Sequence, residues 1–236
     1  MKRIAIMQPY IFPYVGYFQL IEAVDVFVFY DDVNFIKGGW INRNRTLASG
    51  REQLFTIPCQ GISSNKQINE IEVQAQNKWR EKLIKSIRQA YSKAPFFDIF
   101  FPVVEELIFS EVSMISELAM NSIRACSDYI GQNTSFNISS VDFPETKGMD
   151  RADRLIAISK KMAAENYINP QGGMELYDKA YFASNDIRLD FLKAAINPYP
   201  QIGSKEFVPG LSIIDLLMHI QPEEVQFKYL KNYALI

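Results

Sequence analysis

The chain has 236 residues, of which 48% are hydrophobic and 22% are charged, proportions that are typical of a globular protein. The formal net charge is −2 and Lys and Arg are spread along the sequence, so there is no basic patch for a nucleic-acid partner. Cys59 and Cys126 lie far apart without a C-x-x-C motif, which predicts two reduced thiols. The apolar run at the start is too short for a signal peptide and no stretch reaches transmembrane length, so we expect a cytoplasmic protein without membrane insertion.

The first 30 residues have the pattern of a β-α-β unit. The apolar run at 3–7 predicts a buried strand that Pro9 ends. Residues 17–23 have the apolar spacing of a helix, and 26–30 form a second apolar run that Asp31 closes. Continuous rather than alternating apolarity indicates a strand that is covered on both faces, as in a parallel sheet.

The rest of the chain alternates strands and helices. A hairpin is predicted for 40–47 and 53–57, about a turn that contains glycine. The helix-rich segment 77–130 is predicted to form a cap over the sheet. The other predicted elements are strands at 135–139, 167–169 and 187–191, and helices at 151–164 and 211–219. This alternation predicts a single α/β domain with a mostly parallel sheet of Rossmann-like, nucleotidyltransferase-like type, with a helical insertion.

The segment that joins the first strand to the first helix is the first candidate site. It lies at the carboxyl end of a strand, where open α/β sheets bind ligands. The helix N-terminus offers unpaired N–H groups to a phosphate or carboxylate, and a glycine lets a ligand approach the backbone closely. We therefore predict that substrate is bound by Gln8, Tyr10, Tyr14, Gly16 and Tyr17. The alternative is a structural loop packed by prolines and aromatic rings.

A second polar segment follows the second strand. Two adjacent carboxylates can hold a metal such as Mg²⁺ or the hydroxyls of a sugar, and one of them can act as a base. A lysine nearby can neutralise the charge of a phosphate or carboxylate. These residue types predict a catalytic role for Asp31, Asp32 and Lys37. The identity of any metal stays open.

The predicted hairpin adds an aromatic and basic surface. In a strand, Arg43 and Arg45 share one face while Asn42 and Asn44 share the other. The guanidinium groups suit forked contacts with oxyanions, and Trp40 offers a stacking surface for a sugar or a base. We predict substrate binding by Trp40, Asn42, Arg43 and Arg45. A solvated hairpin with surface ion pairs is the alternative.

Three weaker features complete the candidates. The glycines of the turn at 170–173, Gly172 and Gly173, can wrap a phosphate, although a simple turn fits equally well. Asp150, at the start of a predicted helix, is interpreted as its N-cap. His219 is the only histidine, so mechanisms or metal sites that need two are excluded, and we expect a structural role for it. The sequence contains no Walker A, Gly-x-Gly-x-x-Gly or Gly-x-Ser-x-Gly motif.

Several of these motifs together resemble the WbqC-like family. The resemblance spans nearly the whole chain and lies in residues 8–18, 30–33, 40–44, 94–97, 167–173, 199–201 and 207–217. The chain departs from the family pattern at 218–220, where Met-His-Ile replaces an Asn/Gly-type ending. Members occur with genes for O-antigen and other surface glycans, so the resemblance implies a role in making or modifying an activated sugar. The resemblance does not imply a particular catalytic mechanism.

We therefore predict a transferase of surface-polysaccharide biosynthesis that acts on a nucleotide-linked or otherwise activated sugar. One alternative is a non-catalytic carbohydrate- or nucleotide-binding partner of a glycan enzyme. Another is an ATP-dependent nucleotidyl-transferring or activating enzyme, because the first loop lies where nucleotidyltransferases carry a His-x-x-His or similar motif. Tyr14 and Tyr17 stand in the place of those histidines, which counts against this alternative. A homo-oligomer is compatible with the sequence.

Overall fold

The computed structural model describes residues 1–236. The strands are β1 (Arg3–Met7), β2 (Val26–Phe29), β3 (Arg43–Ala48), β4 (Arg51–Thr56), β5 (Cys59–Gln60), β6 (Glu72–Val73), β7 (Ser135–Ile138), β8 (Asn166–Pro170), β9 (Arg188–Ala194) and β10 (Tyr233–Leu235). The helices are α1 (Val15–Glu22), α2 (Lys78–Tyr91), α3 (Phe97–Phe109), α4 (Ile115–Ile130), α5 (Ser139–Asp142), α6 (Arg151–Lys161), α7 (Lys179–Ala183), α8 (Ile213–His219) and α9 (Pro222–Glu224). A π-helix follows at 225–230 and short 3₁₀ turns lie at 68–70, 144–146 and 171–173. None of the helices is long and apolar enough to span a membrane.

Six strands form the central sheet, in the spatial order β10-β9-β8-β1-β2-β7. All neighbours are parallel except β10, which pairs with β9 in the antiparallel direction. The chain moves outward from β1 through β2 to β7, and then returns to β8 on the other side of β1. The carboxyl ends of β1 and β8 therefore flank a topological switch point, the place where open α/β sheets bind ligands.

Both faces of this sheet are covered, as the continuous apolar runs predict. Along β1, Ile4 and Ile6 belong to a core of 14 buried residues together with side chains of α6 and α7. Ala5, between them, belongs to a core of 46 buried residues that α1, α2, α3, α4 and α8 help to build. Alternate residues of a strand point to opposite faces, so a strand buried on both sides must be apolar throughout.

The helix-rich segment predicted at 77–130 is confirmed as α2, α3 and α4, which share the larger core with the sheet. Gly131 ends α4 in the left-handed conformation, with φ of 84°. The hairpin is confirmed as β3 and β4, with Arg43 opposite Thr56. The unpredicted elements are mostly short, such as β5, β6, β10 and α7, because two to five residues hold too little periodicity to be read.

Candidate ligand-binding cleft

The loop between β1 and α1 is fixed by bonds from distant parts of the chain. The carbonyl oxygen of Phe12 accepts hydrogen bonds from Asn44 Nδ2 at 2.6 Å and from Ser212 Oγ at 2.8 Å. The N–H of Phe12 donates to Ser122 Oγ at 3.0 Å. Phe12 is fully buried and has a φ of 42°, which is uncommon for a residue other than glycine. These three bonds hold the backbone in a conformation that would otherwise be unfavourable, so the loop is set before any ligand arrives.

A cavity of about 310 Å³, here called the inner cavity, lies beside this loop at the switch point between β1 and β8. Its polar lining comes from the first loop, the start of α1 and the turn after β8: Tyr10, Tyr14, Gly16, Tyr17, Gln171 and Gly172. The remaining lining is apolar and comes from the ends of β1, β8 and β9 and from α1. No charged side chain lines the inner cavity, which therefore suits an uncharged part of a ligand.

The tyrosines of the inner cavity are neutral hydrogen-bonding groups. Tyr17 is buried, and its hydroxyl donates to the carbonyl oxygen of Gln8 at 2.9 Å. The Tyr10 hydroxyl lies 3.4 Å from Oε1 of the Gln8 side chain. Burial raises the pKa of Tyr10, and the neighbouring Tyr14 raises it further. Burial also raises the pKa of Tyr14, so both phenols keep their protons at neutral pH and can donate to a ligand.

Gly16 leaves room for the ring of Tyr14. A Cβ atom at this position would collide with the ring of Tyr14, which lies over the backbone of Gly16. Its backbone is helical and does not require glycine. The sequence predicts that a ligand approaches the backbone of Gly16 closely, but the Tyr14 ring occupies that place. Gly16 thus determines where the Tyr14 ring lies at the start of α1.

A second cavity of about 200 Å³, the outer cavity, adjoins the first. The two cavities share Tyr10 and Tyr14, and together we call them the cleft. The other residues that line the outer cavity are Pro13, Trp40, Asn44, Arg45 and Gly210. The Arg45 Nη1 atom lies 2.7 Å from Glu52 Oε2, and Nη2 donates to the Gly210 carbonyl oxygen at 3.0 Å. The Arg45 guanidinium carbon lies 5.3 Å from the centroid of the Trp40 ring, a cation–π contact.

Two residues predicted to bind substrate, Arg43 and Asn42, and one predicted to be catalytic, Lys37, lie outside the two cavities. Arg43 also lies beside Trp40, at 5.6 Å, and its Nε donates to the Gly39 carbonyl oxygen. Asn42 is buried and its Nδ2 donates to the Ile57 carbonyl oxygen at 2.9 Å, a contact that stabilises the hairpin. Lys37 is exposed and lines neither cavity.

The two glycines of the turn after β8 differ in their surroundings. Gly172 is exposed, has open space beside its Cα and lines the inner cavity. Gly173 is buried, and a Cβ atom there would collide with the side chain of Asn169. Gly172 is therefore placed to meet a ligand, whereas Gly173 allows the turn to pack.

Asp31 is buried at the end of β2, with 3% of its surface exposed. One of its oxygen atoms accepts hydrogen bonds from Ser139 Oγ at 2.9 Å and from the N–H of Ser140 at 3.0 Å. The other accepts from Ser140 Oγ at 2.6 Å and from Asn69 Nδ2 at 3.3 Å. All of these donors belong to the protein, and Asp31 lines neither cavity.

Asp32 belongs to the same buried cluster, and Ser139 Oγ lies 2.6 Å from it as well as close to Asp31. The Nη2 atom of Arg154 lies 2.6 Å from Asp32, and both side chains are almost fully buried. Burial alone lowers the pKa of Arg154, but the hydrogen bond to Asp32 and the nearby Tyr30 outweigh it, so the pKa is raised. We call these residues, Asp31, Asp32, Asn69, Ser139, Ser140 and Arg154, the aspartate cluster.

The aspartate cluster does not fit a resident Mg²⁺. Each carboxylate oxygen already has a donor: the N–H and Oγ of Ser140 serve the two oxygens of Asp31. Ser139 Oγ and Arg154 serve those of Asp32, so a cation would have to displace Arg154. The chain also contains no group of three or more His, Cys, Asp and Glu side chains arranged to hold a metal ion. The catalytic role of Asp31, Asp32 and Lys37 stays a prediction. The contacts of the two aspartates are those of positioning residues.

A second buried polar cluster supports the segment 199–210, which ends at Gly210 in the outer cavity. Asp215 is fully buried and accepts hydrogen bonds from Tyr91 at 2.9 Å, Tyr199 at 2.7 Å and Gln201 at 2.8 Å. His219 Nε2 accepts from the N–H of Ile202, so its proton lies on Nδ1, 2.7 Å from the Asp215 carbonyl oxygen. These contacts agree with a structural role for His219. They hold the segment 199–210, whose last carbonyl group anchors Arg45.

Several residues on which the cleft and the aspartate cluster depend carry little signal in the sequence. Arg45 pairs with Leu54 across the hairpin, and Glu52 lies two residues before Leu54 on the same face. The hairpin register therefore places Glu52 beside Arg45. Ser139 and Ser140 follow β7, and the parallel pairing of β7 with β2 brings them to Asp31. Asp150 does precede α6, but its side chain makes no cap hydrogen bond. No local signal connects Arg154 with Asp32, 122 positions earlier.

Comparison with known proteins places the chain in a family. No solved structure matches it, so the Rossmann-like type of the sheet stays a prediction, while the α/β class and the mostly parallel sheet are confirmed. The uncharacterized protein Rv1507c of Mycobacterium tuberculosis is 30% identical over 229 residues, which cover 94% of this chain and 96% of that protein. The model of the WbqC-like protein family matches residues 8–227. The resemblance found in the sequence is thus confirmed, and the chain belongs to the WbqC-like protein family.

Proposed function

We propose that the protein is a transferase of surface-polysaccharide biosynthesis, and that it binds a nucleotide-linked or otherwise activated sugar in the cleft. One observation carries this proposal: a cavity lies at the switch point between β1 and β8, bordered by a loop that distant contacts hold in place. A site that is already ordered avoids the entropy cost of ordering it on binding. The O-antigen context of the WbqC-like family supports the choice of an activated sugar.

The lining of the cleft suits the parts of such a ligand. The inner cavity has aromatic rings, hydroxyls and apolar walls, which are the usual surroundings of a base or sugar. Between the two cavities, α1 begins next to Tyr14, and the positive end of a helix dipole favours phosphate. Arg45 adds a guanidinium group on the outer side.

A transfer reaction needs two ligands whose reacting atoms meet, and the two cavities meet at Tyr10 and Tyr14. Both phenols keep their protons, because burial raises their pKa values. In this proposal they donate hydrogen bonds to the oxygen on which negative charge develops. Asp31 then holds the ends of β2 and β7 in place, and its action as a base is the alternative to be tested.

The test is a thermal-shift screen of the full chain against nucleotides, nucleotide-sugars and free sugars, with and without Mg²⁺. A nucleotide-sugar at about 100 times its dissociation constant should add roughly 2.7 kcal/mol to the free energy of unfolding. The substitution Tyr10→Ala should remove the shift, whereas Arg88→Ala, on the exposed surface of α2, should keep it. Stabilisation by ATP alone would favour the activating enzyme, and no response to any nucleotide-sugar would contradict the proposal.

A second candidate is a non-catalytic binding partner of a glycan enzyme. It is favoured by one observation: Asp31, Asp32 and Lys37, the residues selected for catalysis, line neither cavity. This candidate predicts binding of a nucleotide-sugar without release of free nucleotide, even when a panel of sugar acceptors is supplied. Release of nucleotide that depends on an acceptor would exclude it.

A further inference from the structure

Arg45 is the only charged side chain that lines either cavity, and it is held ready at the outer one. Its Nη2 atom is fixed by the Gly210 carbonyl oxygen, and its Nη1 atom pairs with Glu52. Its Nε atom is buried and has no hydrogen-bond partner. A guanidinium group can donate five hydrogen bonds, so Arg45 has donors to spare.

Glu52 is a weak partner for this arginine. The side chains of Arg45 and Glu52 are 31% and 42% exposed, and exposed ion pairs contribute little because water and salt screen them. An oxyanion in the outer cavity would meet Arg45 in a less hydrated setting. It can therefore replace Glu52, while the Gly210 carbonyl oxygen still orients the guanidinium group.

The aromatic side chains around Arg45 favour a sugar as the carrier of that oxyanion. Trp40 is 40% exposed and Tyr14 is 37% exposed, and both line the outer cavity. Flat apolar rings next to hydrogen-bonding groups suit the C–H face and the hydroxyls of a pyranose. The phenols of Tyr10 and Tyr14 add polar groups in the same cavity, whereas the Asn44 amide is occupied by backbone hydrogen bonds of the first loop and of Arg45.

We propose that the outer cavity binds an anionic pyranose, with its ring on Trp40 and its phosphate or carboxylate on Arg45 in place of Glu52. This inference deepens the proposed function and rests on it for the chemical context. The inner cavity has no charged side chain and so offers no equivalent site. Glu52 acts as an internal competitor that is released when the ligand binds.

Calorimetric titration of the full chain tests this assignment with four probes: glucose 1-phosphate, glucuronate, methyl glucoside and inorganic phosphate. At least one anionic sugar should bind, while methyl glucoside and inorganic phosphate should bind at least about tenfold more weakly, since each offers only one half of the contacts. The preferred anionic sugar identifies whether the oxyanion is a phosphate or a carboxylate.

Two substitutions should change the affinity in opposite directions. Arg45→Gln should weaken binding of the anionic sugar by about ten- to a hundredfold, because a charged hydrogen bond is lost. Glu52→Gln should strengthen it by about two- to fivefold, because the competing carboxylate is removed. Arg51→Gln is the control for Arg45→Gln, since it removes a positive charge from the same hairpin. Arg51 lines neither cavity, so this substitution should leave the affinity unchanged.

Weaker or unchanged binding in Glu52→Gln would overturn the proposal, and so would binding of inorganic phosphate as tight as that of the sugars. If Arg45→Gln does not fold, Glu52→Gln still provides the decisive comparison. Failure of the proposed function gives a different result. In that case the anionic sugars bind and respond to Glu52→Gln, while no nucleotide-sugar stabilises the protein.

Discussion

The carboxyl edge of the sheet is built differently at the ends of β1 and β8 than at the ends of β2 and β7. At β2 and β7 the two aspartates of the cluster are buried, and their carboxylate oxygens are paired with donors of the protein. At β1 and β8 the edge stays open, and Tyr10, Tyr14 and Gly172 surround a cavity. The ends of β2 and β7 carry more charge, whereas the ends of β1 and β8 border a cavity that is lined by uncharged hydrogen-bonding groups. We therefore place the candidate site beside this open space and not where the charge is concentrated.

The physical reason is the cost of removing charges from water. A buried carboxylate must be paired and hydrogen-bonded, so Asp31 and Asp32 use their acceptors within the protein. Phenols and backbone N–H groups carry no net charge and can remain partly exposed at low cost. The aspartate cluster thus contributes to the shape of the sheet edge, and the cleft keeps its capacity for a ligand.

The largest effect that we expect follows from breaking the aspartate cluster. Arg154→Met leaves the Asp32 carboxylate buried without its cation, which should lower the free energy of unfolding by about 3–5 kcal/mol. Urea denaturation measures this change. As a control, Arg88→Met removes one partner of an exposed pair with Glu105 and should cost less than about 1 kcal/mol. A loss of less than about 1 kcal/mol in Arg154→Met would show that the ion pair does not stabilise this edge.

Asp31→Asn should have the next largest effect. The substitution turns one acceptor oxygen into an NH₂ group. This group faces either Ser140 and Asn69 or Ser139 and the N–H of Ser140, which are donors, so we expect the free energy of unfolding to fall by about 1–3 kcal/mol. Asp128→Asn, on the exposed side of α4, should change it by less than about 0.5 kcal/mol. If Asp31→Asn keeps its stability and its nucleotide-sugar binding but loses turnover, Asp31 is the catalytic base and not a positioning residue.

The fold could be predicted from the sequence further than the site could. The buried strands β1 and β2 are continuous apolar runs, and α2 and α4 have clear helical spacing, so local patterns were enough. The position of the first loop can also be predicted locally, because a loop that follows a parallel strand lies at the carboxyl edge of the sheet. The roles of Asp31, Asp32 and Arg45 depend on Ser139, Arg154 and Gly210, respectively, which are distant in the chain. Only the tertiary structure shows which charges are already paired.

Gly16→Ala separates stability from binding in the cleft. Alanine is favoured over glycine in a helix interior by about 1 kcal/mol, and the backbone of Gly16, in the first turn of α1, is helical. This gain offsets the cost of moving the Tyr14 ring, so stability should change by less than about 1 kcal/mol. The new Cβ must push the Tyr14 ring aside, and because this ring lines both cavities, affinity for the nucleotide-sugar should fall by about tenfold. Thermal unfolding and calorimetric titration of the same variant measure the two effects. Unchanged affinity would mean that the position of Tyr14 does not matter for the ligand.

The smallest effect that we expect is that of pH on the cleft. Burial raises the pKa of Tyr10 and of Tyr14, so both phenols stay protonated up to and above their ordinary pKa of about 10. When a group has a higher pKa in the folded state than in the unfolded state, its contribution to stability is complete at pH values below the unfolded-state pKa. That contribution is lost as the pH rises through the folded-state pKa. Affinity for a nucleotide-sugar should therefore be constant between pH 7 and about pH 9. If affinity instead fell within this range in the wild type but not in Tyr10→Phe, Tyr10 would be ionising there. It would then act as a base, and the two phenols could not both serve as the neutral donors that the proposed function requires.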